Sequence, residues 1–220
     1  MKKIFLSVMA ITVMATTANA QLWFGGSIGI SNNGGINKTS NSTHKTNASS
    51  SLTLAPMVGF GLNEQFSIGG KLNISTSTDK SYQYDAHDKE TVNKLVTNSL
   101  GVTPFARYTF AQFNNFGLMA EAGMPISYSS KKTVDGSETT KGNPTTSFGL
   151  YVVPMLTYGL NDHFSLECSL DFLSLNTKYR ITTDRDDSSK ATIDYSFDFG
   201  VDTRTVATPG WVTIGFIYKL

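Results

Sequence analysis

The chain has 220 residues, with 18 Lys and Arg, 17 Asp and Glu, and a single cysteine, Cys168. This length suits one domain, the balance of charge excludes the basic surface that attracts nucleic acid, and one cysteine excludes an internal disulfide framework. After residue 20 no apolar run is long enough to form a membrane helix. A soluble protein and a protein that crosses a membrane with strands both remain compatible with these numbers.

Residues 1–20 contain the three parts of a secretory signal peptide. Lysines at positions 2 and 3 precede a mostly apolar stretch over residues 4–15, and Ala-Asn-Ala at 18–20 supplies a cleavage site. The apolar run is too short to span a bilayer. We therefore predict cleavage before Gln21 and one exported domain over residues 21–220. Removing the two lysines leaves 16 cationic against 17 anionic side chains.

One hairpin motif occurs three times along the chain. The first copy runs from Pro56 to Ile68 and the third from Pro154 to Leu166, and a looser copy begins at Pro104. Each copy has a short polar turn with aromatic residues on both sides, which is typical of the tight end of a membrane β-barrel and its aromatic belt. Because Pro lacks the N–H that a ladder needs, each of the three prolines also predicts a local irregularity such as a bulge.

Eight segments alternate with a period of two between apolar residues and small, polar or charged ones. Each is long enough to cross a bilayer as a tilted strand. An even number of strands, with both chain ends on the short-turn side, predicts an all-β, eight-stranded, antiparallel, up-and-down transmembrane β-barrel. The apolar faces span residues 22–30, 52–60, 66–74, 100–110, 116–128, 148–158, 164–172 and 212–220.

The connections alternate between short and long. Short turns fall near 61–65, 111–115 and 159–163, and long polar loops near 31–50, 75–95, 129–146 and 174–208. This asymmetry predicts periplasmic turns and extracellular loops. The last loop contains an alternating segment at 193–201, which we interpret as the upper part of strand eight above a bulge or as a hairpin outside the membrane.

The signal peptide, the alternating strands with aromatic-flanked turns and the terminal Gly-Phe-Ile-Tyr-Lys-Leu strand (215–220) resemble the small eight-stranded outer-membrane β-barrel family, which includes porin-like proteins. The resemblance covers the whole mature chain, although Leu220 replaces the commonest terminal residue, Phe. It implies a place in the outer membrane of a Gram-negative envelope, with outer-membrane lipid and the barrel-assembly machinery as partners. It implies no particular activity, because the family includes adhesins, structural barrels, small pores and enzymes.

Five strand-borne charges are the candidate site residues of the lumen. On the lipid face, a cation at mid-membrane costs roughly 2–4 kcal/mol, so these side chains are expected to face inward. Eight strands enclose a space that side chains just fill. We therefore predict a paired polar network that closes the lumen, with a narrow charged conduit as the alternative. Its members are Lys71, Arg107, Glu121, Glu167 and Asp171.

A second predicted set is an aromatic belt beside the short turns, where amphipathic rings lie at the level of the lipid headgroups. Its members are Phe60, Phe66, Phe110, Phe116, Tyr158, Phe164, Phe216 and Tyr218.

The sequence favours a protein that is not an enzyme and needs no cofactor or metal. No strand carries a His where outer-membrane acyltransferases and lipases need one. Asp85-x-His87-Asp88 lacks a second ligand pair, and the aspartates at 184, 186 and 187 lack the Gly and Glu of a calcium loop. We read both segments as charged loops.

Three functions therefore compete. The favoured one is a non-enzymatic surface barrel with a sealed polar lumen and loops for structural or interaction roles. In that case an unknown surface ligand would contact the loops, with Tyr82, Tyr84, Tyr179 and Tyr195 as aromatic anchors. The alternatives are a small passive pore and a secreted, soluble ligand-binding barrel. The soluble barrel is disfavoured because aromatics flank every short turn.

Overall fold

The computed structural model describes residues 21–38, 43–84, 90–135, 138–170, 173–185, 187, 189–201 and 212–220. The predicted signal peptide lies outside the described residues. No helix within them is long and apolar enough to cross a membrane. The strands are β1 (Gln21–Lys38), β2 (Thr43–Gly61), β3 (Phe66–Tyr84), β4 (Glu90–Phe113), β5 (Phe116–Gly123), β6 (Ile126–Asp135), β7 (Glu138–Lys141), β8 (Thr145–Gly159), β9 (Phe164–Leu170), β10 (Leu173–Thr183), β11 (Ala191–Val201) and β12 (Val212–Lys219).

The strands pair antiparallel in a closed ring. Strands β1 to β4 pair in sequence, β4 pairs with β5 and β6, and both of these pair with β8. Strand β8 pairs with β9 and β10, β9 pairs with β12, and β12 pairs back onto β1. Because β5/β6 and β9/β10 each fill one position, the ring has eight positions. The predicted all-β fold class is confirmed.

The apolar residues, which occupy alternate positions of each strand, face away from the lumen. Leu100, Val102 and Ile74 are exposed on the outer surface, whereas their sequence neighbours Gly101 and Thr103 are buried. This arrangement is the reverse of the apolar interior that the soluble ligand-binding alternative requires. The outer surface is therefore suited to lipid.

The three repeated prolines interrupt the ladder with the following strand. A Pro has no N–H to donate, so the ladder opens at that position. The interruptions lie between residues 54 and 57 of β2, 102 and 105 of β4, and 152 and 155 of β8. Pro56, Pro104 and Pro154 fall inside these three gaps. The interruption beside Pro104 also divides β5 from β6.

An asparagine side chain stabilises the first turn, and an equivalent asparagine stabilises the third. Asn63 Oδ1 accepts hydrogen bonds from the backbone N–H groups of Gln65 and Phe66, at 2.9 and 2.7 Å. Asn161 Oδ1 accepts the equivalent bonds from His163 and Phe164, also at 2.9 and 2.7 Å. An Asn side chain that caps its own turn fixes a short, reproducible connection. The repeated Gly-Leu-Asn sequence thus corresponds to a repeated turn.

The connections predicted as long loops are largely ladder, which corrects their extent. Pairing continues as far as Lys38 and Thr43 in β1–β2, and as far as residues 84 and 90 in β3–β4. It also reaches 135 and 138 in β6–β7. The low hydrophobicity of these segments led to their prediction as loops. They are strands that extend above the lipid, where a strand needs no apolar face. Polar side chains pair across them instead: Thr76 Oγ1 donates to Asn98 Oδ1 at 2.9 Å.

The alternating segment at 193–201 forms β11, which pairs with β10 along its whole length. Strands β9 and β10 share the seventh position of the ring, where β12 pairs with β9 and β11 pairs with β10. Strand β11 therefore continues the eighth position beyond β12, and it also forms an outer hairpin with β10. Its apolar parity faces outward: Tyr195 lies opposite Tyr179 and is 83% exposed.

Candidate functional site

Strand register brings four of the five predicted lumen charges together. Arg107 on β4 is the direct cross-strand neighbour of Glu121 on β5. Glu167 reaches them from β9, and Lys71 from β3. Asp171, the fifth predicted member, lies outside the described residues.

Arg107 lies at the centre of the cluster. Its Nε donates to Glu121 Oε2 at 2.8 Å and its Nη1 to Glu167 Oε2 at 2.9 Å. Its Nη2 lies 2.7 Å from Glu121 Oε2 and 3.3 Å from Glu167 Oε1. The Arg107 and Glu121 side chains are each only 2% exposed and that of Glu167 is 6% exposed. Such a planar fork to two carboxylates is a geometry that Lys cannot reproduce.

Glu121 has the larger set of donors. Besides Arg107, its Oε1 accepts hydrogen bonds from Lys71 Nζ at 3.0 Å and from the Tyr151 hydroxyl. The cluster therefore contains two cations and two carboxylates and is formally neutral. Neutrality and saturated hydrogen bonding are what a buried charged group requires.

Aromatic rings enclose the guanidinium of Arg107. Its Cζ lies 4.9 Å from the ring centroid of Trp23 and 4.8 Å from that of Phe105, and both rings are buried. Met57 Sδ accepts a further hydrogen bond from Nη2 at 3.5 Å. Cation–π contact of this kind is stronger where water is excluded. We call Trp23, Met57, Phe105, Arg107, Glu121 and Glu167 the lumen plug.

Glycines on neighbouring strands make room for the rings. Gly59 lies opposite Trp23, and Gly69 opposite Phe105. A Cβ at Gly59 would lie 2.2 Å from the Trp23 ring, and one at Gly69 would lie 2.5 Å from the Phe105 ring. Each ring therefore occupies space that a side chain at the facing glycine would fill, which lets eight strands hold large side chains inside.

The loop-side half of the lumen is open. A cavity of about 780 Å³ lies above the plug, with Lys71, Glu121 and Glu167 among its lining residues. Its walls are mainly hydroxyl and amide side chains, several of which bond to one another: Ser99 to Ser129 at 2.8 Å and Ser127 to Ser147 at 2.7 Å. Three further cations line it: Lys131, Lys178 and Arg180. We call this cavity the vestibule.

The predicted belt residues lie near the turns, most of them on the outer surface. Phe116 contacts Tyr158 with ring centroids 4.7 Å apart, and Phe164 contacts Tyr218 at 5.0 Å. Phe110 occupies a β-bulge where the register shifts between Thr109 and Ala111. Phe60 is half-buried; the exposed members are Phe66, Phe110, Phe116, Tyr158, Phe164 and Phe216.

Sequence reasoning missed several residues of both sets. The plug residues Trp23, Met57 and Phe105, and the neighbouring Tyr151, were not predicted as lumen residues, although each is a large side chain on an otherwise polar parity, and that was the available signal. Phe113, which pairs with Phe116, was also not predicted, because the bulge at Phe110 changes the alternation before it. Aromatics also occur toward the loop side, where Phe148 and Tyr179 lie 4.9 Å apart on the outer surface.

The loop carboxylates show no metal-binding arrangement among the described residues. No group of three His, Cys, Asp or Glu side chains lies together there. Asp187 is held by the Ser189 hydroxyl and the Lys190 ammonium, and these hydrogen bonds lower the pKa of Asp187. Asp85, His87, Asp88 and Asp186 lie outside the described residues.

The closed ring, the outward apolar surface and the charged interior define the class as a membrane β-barrel. The family model for the outer membrane protein beta-barrel domain matches residues 4–202, and the chain belongs to this family. It is therefore an outer-membrane protein in contact with outer-membrane lipid.

Three solved structures are similar over most of the chain. Neisserial surface protein A is 14% identical, with a TM-score of 0.35, over 91% of this chain and 96% of that one. Ail, the attachment invasion locus protein of Yersinia pestis, is 8% identical, with a TM-score of 0.38, over 91% and 97%. A major outer membrane protein from Thermus thermophilus is 15% identical, with a TM-score of 0.43, over 90% and 99%. Comparison with curated protein sequences gave no significant match.

Proposed function

We propose that this protein is a non-enzymatic outer-membrane barrel with a sealed lumen, and that its work is done on the cell surface by its extracellular hairpins. The proposal assigns residues 1–20 to a cleaved signal peptide and residues 21–220 to the barrel. It also assigns the β12 end of the chain, with Phe216 and Tyr218, to recognition by the barrel-assembly machinery.

The lumen plug is the observation that carries the proposal. Arg107 bridges β4 to β9 through Glu167, and Trp23 and Phe105 cover its faces. Side chains from β1, β2, β4, β5 and β9 thus meet inside the ring. Lys71, which donates to Glu121, balances the remaining charge of the plug, and a buried, hydrogen-bonded and formally neutral cluster of this kind supports a structural seal.

The same contacts support a role without catalysis. A catalytic acid or nucleophile presents an oxygen to substrate, whereas both oxygens of Glu121 and of Glu167 accept hydrogen bonds from neighbouring side chains. We therefore assign these carboxylates to the fold.

The outer hairpins support an interaction role. The β3–β4 ladder continues past the pair Ile74 and Leu100 as far as Tyr84 and Glu90, and the β10–β11 ladder reaches Thr183 and Ala191, so both hairpins form a rigid scaffold on the loop side. Binding residues are commonly carried at the ends of such scaffolds. Tyr195 is an exposed anchor for a surface ligand, and Tyr84, half-buried in ring contact with His44 at 4.2 Å, is a second aromatic residue of these hairpins.

Single-channel recording of the refolded protein in a planar bilayer tests the seal. We expect no conductance steps from the native sequence. The double variant Trp23→Ala, Phe105→Ala should conduct, because it removes the two rings that cover Arg107. A control variant, Phe116→Ala, Tyr158→Ala, removes two rings from the outer surface and should stay closed. Steps from the native chain would contradict the proposal.

A small passive pore is the second candidate, and the vestibule is the observation that favours it. The open cavity of about 780 Å³ has the polar walls of a water-filled channel and extends down to the plug. If the plug moved aside, the vestibule would continue toward the periplasm. The same recording separates the two functions.

A further inference from the structure

A band of lysines crosses four neighbouring strands on the outer surface. Lys80 on β3 lies directly opposite Lys94 on β4, and Lys132 on β6 lies directly opposite Lys141 on β7. Lys132 is also opposite Val96, two residues from Lys94. These four residues share the outward parity of Ile74, Leu100 and Tyr128. We call Lys80, Lys94, Lys132 and Lys141 the lysine band.

The band is unfavourable unless an anion covers it. Like charges directly opposite each other on two strands are destabilising. Within the described ranges, none of the four lysines forms an ion pair with a carboxylate. Glu90, the outward carboxylate further along β4, instead accepts a hydrogen bond from the Tyr84 hydroxyl at 3.3 Å. The four ammonium groups thus form a concentrated positive surface.

The band lies just beyond the lipid-facing surface. Lys132 is two outward positions past Tyr128, and Lys94 and Lys80 are each three positions past Leu100 and Ile74. Three such positions on a tilted strand rise roughly 15 Å. Long lysine side chains also extend along apolar surface while their charged ends stay in the polar layer. The band therefore faces the headgroups of the outer leaflet.

A groove of about 280 Å³ lies directly below the band on the same surface. Its lower walls are apolar, from Leu52, Leu54, Ile74 and Leu100, and its other walls include the polar side chains of Thr76 and Asn98. From the membrane outward, the surface thus passes from apolar through polar to cationic. A lipid with acyl chains, a sugar or glycerol region and a phosphate has the same order.

We propose that the groove and the lysine band together bind a phosphorylated lipid of the outer leaflet, with an acyl chain in the groove and phosphate on the lysines. Charge complementarity identifies the occupant, because four clustered lysines select a multiply anionic headgroup and the groove selects a chain.

Native mass spectrometry of the refolded chain in detergent tests this site, with diphosphorylated lipid A and dephosphorylated lipid A as probes. We expect the phosphorylated form to bind at least about tenfold more tightly. The double variant Lys94→Gln, Lys132→Gln should weaken that binding about thirty-fold, since each lysine near an anionic surface contributes a factor of about five to six.

The matched control is Lys131→Gln, Lys178→Gln, which removes two loop-side cations from the vestibule instead of the outer surface. It should leave lipid binding unchanged. Equal binding of both lipids, equal weakening by both double variants, or binding that inorganic phosphate displaces fully would each overturn the proposal. Heat-modifiable migration of each variant verifies that it is folded. Lipid binding on the outer surface is measured independently of whether the lumen is sealed.

Discussion

The two halves of the lumen contrast sharply although the same eight strand positions enclose both. Near the turns, Arg107, Trp23 and Phe105 fill the interior, and the polar groups bond to one another. Toward the hairpins, Ser, Thr and Asn side chains line a cavity of about 780 Å³. Strand number thus permits a filled lumen, and side-chain volume decides whether it is filled.

The largest expected effect comes from removing the centre of the plug. Arg107→Leu should lower the free energy of unfolding by about 3–5 kcal/mol, because it leaves two buried carboxylates without their shared cation. Urea titration in detergent, followed by Trp fluorescence, measures the change. Lys178→Leu removes an exposed cation from the vestibule and should change stability by less than about 0.5 kcal/mol. Equal effects of the two variants would mean that the charged groups of the plug are as solvated as those of the vestibule.

The two plug carboxylates should differ. Glu121→Leu removes the carboxylate that accepts hydrogen bonds from Lys71, Tyr151 and Arg107, and we expect a cost of about 3–4 kcal/mol. Within the described part of the chain, Glu167→Leu removes hydrogen bonds from Arg107, and it should cost about 1–2 kcal/mol less, since fewer charged hydrogen bonds are lost. Urea midpoints of both variants test the order. Unchanged midpoints would mean that these groups are solvated and would favour the passive pore.

Alanine substitutions at two adjacent glycines of β3 compare how much an added methyl group costs inside the barrel and on its outer surface. Gly69→Ala places a Cβ 2.5 Å from the Phe105 ring and should cost about 1–3 kcal/mol through overpacking. Gly70→Ala points outward, where nothing lies within 4 Å, and should stay within about 0.5 kcal/mol of the native chain. Thermal unfolding in detergent measures both. If Gly70→Ala were the more damaging, the inward and outward faces would be reversed.

The smallest effect should come from shortening a hairpin. Replacing residues 35–47 by Asn-Gly joins Gly34 to Ala48, which are cross-strand partners, through a two-residue turn. The removed segment is polar, and those of its residues that the structure describes are mostly exposed, so stability should fall by less than about 1 kcal/mol. Heat-modifiable migration after refolding checks insertion. A chain that no longer folds would place this hairpin within the barrel's folding unit.

The period of two determined the architecture from sequence alone. Alternation fixes which residues face lipid, so the outward faces of β3 and β4 and the inward positions of Arg107 and Glu121 followed from parity. The Asn-centred turns were also readable, because their chemistry lies within a few residues. Interactions local in sequence, or set by a two-residue repeat, need no knowledge of neighbours.

Tertiary structure decided everything that depends on register across the ring. Parity placed Lys71, Arg107, Glu121 and Glu167 inside, but only strand pairing and stagger made Arg107 the shared partner of both carboxylates. The Phe110 bulge and the length of the polar ladders were equally unreadable, because backbone pairing between distant segments leaves no local pattern. Trp23 and Phe105 close the lumen only because glycines on adjacent strands lie beneath them. That is a property of the assembled sheet and of no single strand.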